Sequence, residues 1–169
     1  MTKNLIIQTA NLKNPRDAHD YQAQLAAYAL DPMGGGQALP PHRLRRVIED
    51  LQEMPQAHLF LARVAEQAVG FATCFSAYST FRARPLWNIH DIAVLTEYRG
   101  RGIGRALLDA IAESARGAGC CKLTLEVRED NPVAASLYQK TGFSTAQIEG
   151  RAVQYLFLEK ALATGEKRA

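Results

Sequence analysis

The sequence predicts a single α/β domain in which a mixed, mostly antiparallel central sheet of about six to seven strands is flanked by about four helices. Three observations lead there. Apolar patterns along the chain run strand, two helices, three strands, helix, strand, helix and two strands, with no repeat or linker dividing them. The Gly-rich turn Arg99-Gly100-Arg101-Gly102-Ile103-Gly104 sits between a predicted strand and a predicted helix, which marks one helix-containing crossover at the centre. A length of 169 residues with 47% apolar and 22% charged residues suits one ordinary domain, 1–163, followed by a disordered tail, 164–169.

Each element has its own signal. Residues 4–10 read as a short strand. Asn14-Pro15 is a helix start, with Asn at the cap and Pro at the first helical position, and Ala18, Tyr21, Leu25 and Tyr28 follow on one face. Asp31-Pro32-Met33-Gly34-Gly35-Gly36 breaks that helix. A second helix carries Leu44, Val47, Ile48 and Leu51 and stops before Pro55. The apolar runs 59–64 and 69–75 form an antiparallel hairpin, Ser79 to Asn88 a polar and basic loop, and Ile89 to Leu95 a strand. In the next helix Ile103, Leu107, Leu108, Ile111 and Ala115 share a face, and Gly117-Ala118-Gly119 ends it. Residues 122–127 are a strand, Asn131-Pro132 starts a helix that Gly142 ends, and 143–149 and 152–159 are the last two strands.

Bulk properties exclude some classes. A net charge of +3 is too small for a nucleic-acid binder, though it leaves room for a local phosphate patch. Cys74, Cys120 and Cys121 form no C-x-x-C pair, so they read as free thiols rather than metal ligands or a redox motif. With no signal-peptide pattern and no transmembrane run, the expectation is a cytoplasmic protein without membrane contact.

The unit from Ile89 to Val127 carries the chemistry. A Gly-rich turn at a helix start aims several backbone N–H groups at one spot, which suits phosphate, and Arg99, Arg101 and Arg105 add charge. The nucleotide P-loop pattern is absent. The dinucleotide fingerprint fits at Gly100 and Gly102, has Arg105 at its third position and Glu126 near the ribose-binding place, but lies mid-chain behind two helices and a hairpin. Arg-x-x-Gly-x-Gly fits completely. With Asp91-Ile92-Ala93-Val94 ahead of it and Asn131-Pro132-Val133-Ala134-Ala135-Ser136-Leu137-Tyr138-Gln139-Lys140-Thr141-Gly142-Phe143 after it, the chain resembles the GNAT superfamily of acetyl-CoA-dependent N-acetyltransferases over roughly residues 59–160.

The resemblance implies acetyl-CoA as co-substrate and an amine as acceptor, on a small molecule or a peptide, and it allows a homodimer. It places the pantetheine arm along Ile92, Ala93 and Val94. The pyrophosphate then lies on the amides of Arg99, Gly100, Arg101, Gly102, Ile103, Gly104 and Arg105, with Asn131 beside the arm and the Tyr138 hydroxyl near the thioester sulfur. An alkyl amine has a pKa of about 10 and must lose a proton before it attacks. The oxyanion needs a fixed donor such as the Val94 amide, and the thiolate a proton from Tyr138. His90 occupies a position that is acidic in the related polyamine acetyltransferases. It reads either as a base, acting directly or through water, or as a structural histidine. Strand alternation puts His90 and Asp91 on opposite faces of the sheet.

The acceptor is left open. The resemblance implies that its pocket forms largely from loops Asp31–Pro40 and Ser79–Trp87. Tyr78, Phe81, Arg82, Arg84 and Trp87 suit a carboxylate-bearing substrate, and Asp31 suits a cationic amine. A non-catalytic acyl-CoA-binding module is the alternative, and Tyr138 argues against it, because binding alone needs no acid there.

Overall fold

Asn14 caps the first helix as expected: its side chain accepts from the amides of Arg16 and Asp17, and Pro15 follows it. In the computed structural model, which describes residues 4–148, 151–153, 157–160 and 162, that helix is α1 (Pro15–Leu30), after strand β1 (Leu5–Thr9). Next come α2 (Pro41–Gln52), β2 (Ala57–Val64), β3 (Gln67–Ser79), β4 (Arg84–Val94) and a 3-10 turn (Thr96–Tyr98). The chain continues through α3 (Ile103–Gly117), β5 (Leu123–Leu125), α4 (Pro132–Lys140), β6 (Ala146–Ile148) and β7 (Arg151–Val153). Strands β1-β2-β3-β4-β5 form one sheet in that order, antiparallel except for the parallel β4–β5 pair.

Apolar faces bury against both sides of this sheet. Ile103, Leu107, Leu108, Ile111 and Ala115 of α3 pack with Phe60, Ala62, Val69, Ala72, Trp87 and Ile89 on one face. On the other, Tyr21, Leu25 and Tyr28 of α1 and Ile48 and Leu51 of α2 cover Leu59, Leu61 and Phe71. One polar cluster joins this second layer. Arg63, 5% exposed, bonds the Asp17 carboxylate at 2.9 Å and also pairs with Asp20. A buried cation needs such partners, and here they pin α1 to β2. Cys74 is buried and its thiol is pushed up to about 12, chiefly by burial. Cys120 and Cys121 are partly buried and free. Among the described residues no helix is long and apolar enough to cross a membrane.

Two expectations change. Among the described residues the central sheet has five strands rather than six or seven, because β6 and β7 find their backbone partners in each other and form a separate two-stranded ribbon. Residues 149–150, 154–156, 161 and the expected tail 164–169 lie outside the described residues. The polar stretch 79–88 is not a loop but the end of a long β3–β4 hairpin whose ladder runs from Gly70↔Val94 to Ser79↔Arg84. Ser76, Ala77 and Tyr78 are exposed in succession, so the strand shows none of the in–out alternation that reveals strands in sequence.

Candidate active site

The cleft arises where two parallel strands part. β4 pairs with β5 only over Trp87↔Leu123, Asn88↔Thr124 and Ile89↔Leu125, and then runs on to Val94. Among the described residues, the segment from His90 to Val94 has a strand on its β3 side only. On β3, Thr73 faces Asp91 and Cys74 faces Ile89, so His90 is an extra, bulged residue. A bulge bends its strand and tightens the twist, and this one falls just beyond the last β5 partner. The open edge of Ile92, Ala93 and Val94 is the kind of edge an extended arm with amide groups adds to as a strand.

That edge leads into the Gly-rich turn. Gly100 and Gly102 have φ of 72° and 83°, and nothing lies within 4 Å of a Cβ placed on either. Gly102 caps α3 without a side-chain bond, which leaves the first-turn amides of Ile103, Gly104 and Arg105 directed outward at the positive end of the helix. An open turn of this kind fits a pyrophosphate, and the edge plus the turn fit acetyl-CoA. The three arginines are less simply disposed than the sequence reading has them. Arg99 donates through Nε to the Val94 carbonyl at 2.9 Å and through its other nitrogen to Asp31 at 2.6 Å. Arg101 donates to the Glu97 carbonyl at 2.8 Å and lies over the Tyr98 ring, and Arg105 pairs with Asp109 at 3.7 Å. Gly104 serves packing: a Cβ there would meet Leu137 Cδ2 at 3.1 Å, so α3 and α4 touch at this point.

The expectation that His90 and Asp91 face opposite sides is corrected by the bulge. The His90 ring packs edge-on against Phe75 with centroids 5.6 Å apart, and Asp91 lies directly opposite Thr73 in the β3–β4 register. Thr73 and Phe75 are two apart on β3 and share a face, so His90 and Asp91 share it too. His90 is exposed, and Asp91 is partly buried. Burial pushes the Asp91 carboxyl up, while His90 and Thr73 pull it back.

Asn131 caps α4, accepting from the Ala134 amide at 3.1 Å. Tyr138 is buried in the α3-side core with its ring edge-on to Phe143, 5.9 Å away. Burial first, and then Tyr28, push its phenol up, so it stays protonated at neutral pH. Tyr28 packs on the opposite face, edge-on to Phe71, and its own phenol is raised by burial, then by Asp91 and Asp31.

The expected acceptor loops fare unevenly. Asp31 is held below the usual carboxylate range, first by its bond from Arg99 and then by the Met33 amide. Its charge is engaged by a neighbour rather than held open for an amine. Arg128 donates to the Pro32 carbonyl at 3.2 Å, so the glycine loop is tied on both sides. Trp87 belongs to the α3-side core and stacks on His58 at 3.8 Å, away from the face of His90. Phe81 is fully exposed at the tip of the hairpin. Asn88, unnoticed in sequence, reaches Thr124 at 3.2 Å and Glu126 at 3.3 Å across β4 and β5.

Comparison with known proteins gives a consistent picture. The model of the Acetyltransferase (GNAT) family matches residues 23–143. Thialysine N-epsilon-acetyltransferase of Bos taurus is 39% identical over 74 residues, 44% of this chain and 43% of that protein. N-alpha-acetyltransferase RimI of Mycobacterium tuberculosis is 34% identical over 118 residues, 69% and 68% of the two chains. The match spans only about half the length of the thialysine N-epsilon-acetyltransferases, 43% of the bovine and 56% of the Mus musculus protein. Among solved structures, an aminoglycoside acetyltransferase from an uncultured soil metagenomic sample, in complex with sisomicin, superposes with a TM-score of 0.74 at 17% identity, over 93% of this chain and 97% of that one. An aminoglycoside N-acetyltransferase in complex with CoA gives 0.70 at 18% identity, over 92% and 94%. At such identities the likeness shows the fold.

Proposed function

Because the chain belongs to the GNAT acetyltransferase family, we propose that it transfers the acetyl group of acetyl-CoA to a primary amine of a small molecule, or of a peptide, by direct attack in a ternary complex. The observation that supports this reading is the open edge of β4 running into the Gly-rich turn at the start of α3.

The residues divide the work. Ile92, Ala93 and Val94 hold the pantetheine arm, and the turn from Arg99 to Arg105 holds the pyrophosphate, with Asn131 at the start of α4 beside the arm. His90 takes the proton from the ammonium of the acceptor, directly or through water. The freed nitrogen bonds to the thioester carbon, and the electron pair of the C=O moves to oxygen, where a central-strand amide such as that of Val94 meets it. When the electron pair on oxygen re-forms the C=O and the C–S bond breaks, the Tyr138 hydroxyl gives its proton to the thiolate, and the second proton lost from the attacking nitrogen passes through water to restore the phenol. The raised phenol keeps that proton available. We take the enzyme to be a homodimer, which light scattering in solution tests.

The names of the relatives bracket the acceptor: one acts on the ε-amine of thialysine and another on an α-amine. Thiol release with acetyl-CoA should therefore be measured against thialysine, lysine, a polyamine, an aminoglycoside and a peptide with a free N-terminus. Turnover with any of these supports the reading. Tight acetyl-CoA binding with no turnover on any amine would establish a non-catalytic acyl-CoA module instead.

A further inference from the structure

Two consecutive residues of the α1–α2 loop tie together the chain that leaves β4 and the chain that leaves β5. Asp31 accepts from the Arg99 guanidinium at 2.6 Å, and Arg99 follows β4 in the Gly-rich turn. The Pro32 carbonyl accepts from Arg128 at 3.2 Å, and Arg128 follows β5. β4 and β5 pair only as far as Ile89↔Leu125, so the loop bridges the two strands beyond the point where they part. Both arginines are fixed at a second place. Arg99 Nε donates to the Val94 carbonyl at 2.9 Å, and Arg128 donates to Asp130 through two nitrogens at 2.9 and 2.7 Å. The loop is also closed on itself. The Gly34 and Gly36 amides both donate to the Asp31 carbonyl, at 2.8 and 3.0 Å, and the Met33 amide donates to the Asp31 carboxylate at 2.8 Å. A Cβ on Gly34 would lie 2.0 Å from the Tyr28 carbonyl oxygen, so only glycine lets the loop fold this tightly on the end of α1.

The direction of the Val94 carbonyl gives the Arg99 side chain its place. The Leu95 amide donates to Val69 of β3, and the carbonyl of the same trans peptide points the opposite way, to the open edge of β4. Arg99 therefore caps the last carbonyl of the edge along which the pantetheine arm is read to lie, and it holds the α1–α2 loop with its other end. Its Nε and one terminal nitrogen are thus engaged within the protein. We propose that Arg99, Asp31 and Arg128 form a strap across the cofactor gap, in which the Arg99 side chain is a positioning residue rather than a phosphate ligand. It holds the Gly-rich turn and the end of the β4 edge to the α1–α2 loop, so that CoA seated on the turn also orders the loop. This rests on the reading of the turn as the pyrophosphate site. The coupling is reciprocal, and whatever loosens the loop weakens CoA binding.

Asp31→Asn tests the strap, because the new side chain can still accept from the Met33 amide but no longer pairs as an anion with Arg99. Its melting temperature shows that the variant folds. CoA is the probe, with affinity read by calorimetry and the loop read by hydrogen exchange at the Gly34, Gly36 and Gln37 amides. In the wild type, CoA should raise the protection of these amides. In Asp31→Asn that rise should be lost, and CoA affinity should fall about two- to fivefold, the range of a partly exposed ion pair. Arg99→Lys keeps the charge but not the forked geometry, and should behave likewise. If Asp31→Asn does not fold, Arg128→Gln, which releases the other end of the strap, should blunt the rise in protection in the same way. Tighter CoA binding in Asp31→Asn would make Arg99 a phosphate ligand that rests on the loop, and would overturn the proposal. Unchanged affinity and unchanged protection in Asp31→Asn would overturn it as well. A wild type that binds no CoA would instead overturn the reading of the turn, and the proposal with it.

Discussion

Tyr138 is where the chemistry is most exposed to a single substitution. Tyr138→Phe keeps the ring that packs beside Phe143 and removes only the proton. General acid catalysis contributes about 10²–10⁴-fold, so kcat should fall by about that range, nearer its low end because a thiolate already leaves fairly well. Acetyl-CoA affinity should change little, which calorimetry checks, and wild-type kcat with chemistry rate-limiting would make Tyr138 a packing residue. Asp91 makes a second prediction at this scale, about stability. Its carboxyl is raised in the folded protein, first by burial, so the folded state disfavours the ionised form. Stability from this group is complete below the unfolded pKa of about 3.9 and is lost as pH rises through the higher folded value. Asp91→Asn should therefore raise the melting temperature at neutral pH, which scanning calorimetry checks. A lower melting temperature at pH 7 would show that the carboxylate is needed for the fold.

At the scale of elements, the α3–α4 contact and the Gly-rich turn separate two effects that sequence alone merges. Gly102 sits at positive φ with open space above it, and Gly104 sits 3.1 Å, as measured from a Cβ placed on it, from Leu137 Cδ2. Gly102→Asp puts a negative charge where phosphate lies and should lower acetyl-CoA affinity by more than about tenfold, at a strain cost of about 1–2 kcal/mol for the left-handed backbone. Gly104→Val instead overpacks the helix pair, at about 1–3 kcal/mol. It should depress the melting temperature and, because Leu137 adjoins Tyr138, kcat as well. Scanning fluorimetry and calorimetry on both variants decide this: equal affinities for acetyl-CoA in Gly102→Asp and wild type would move the phosphate site elsewhere. The α1–α2 loop belongs to this scale too. Its Asp31 is bound by Arg99 of the cofactor turn, so the two loops that flank the cleft are mechanically joined.

At the scale of the whole molecule, cofactor binding should stabilise the fold, because only the folded chain holds the β4 edge and the α3 turn in one cleft. At about 100 times its dissociation constant acetyl-CoA should add about 2.7 kcal/mol. For a chain of this size each 1 kcal/mol raises the melting temperature by about 2–4 °C, so the shift should be several degrees. A response to NAD with none to acetyl-CoA or CoA would restore the dinucleotide reading and dismiss the family-based one.

What could be read from the sequence alone was local. The Asn14 and Asn131 caps, the apolar face of α3 and the Gly-rich turn rest on contacts within a few residues of one another, and all stand as read. The long β3–β4 hairpin did not show, because Ser76, Ala77 and Tyr78 in its outer half are exposed in succession and leave no alternation. The central sheet stops at five strands because the last two short runs pair with each other, a choice between partners that no local pattern records. The site divides in the same way. The Gly-rich turn and Tyr138, which the proposed function uses, were visible as motifs. That His90 and Asp91 share a face depended on a bulge, which is a mismatch of register between two strands and so a property of the pair, invisible in either strand by itself. The Tyr21–Thr73 hydrogen bond and the engagement of Asp31 by Arg99 likewise join residues 52 and 68 positions apart, and only the packed structure brings such groups within reach.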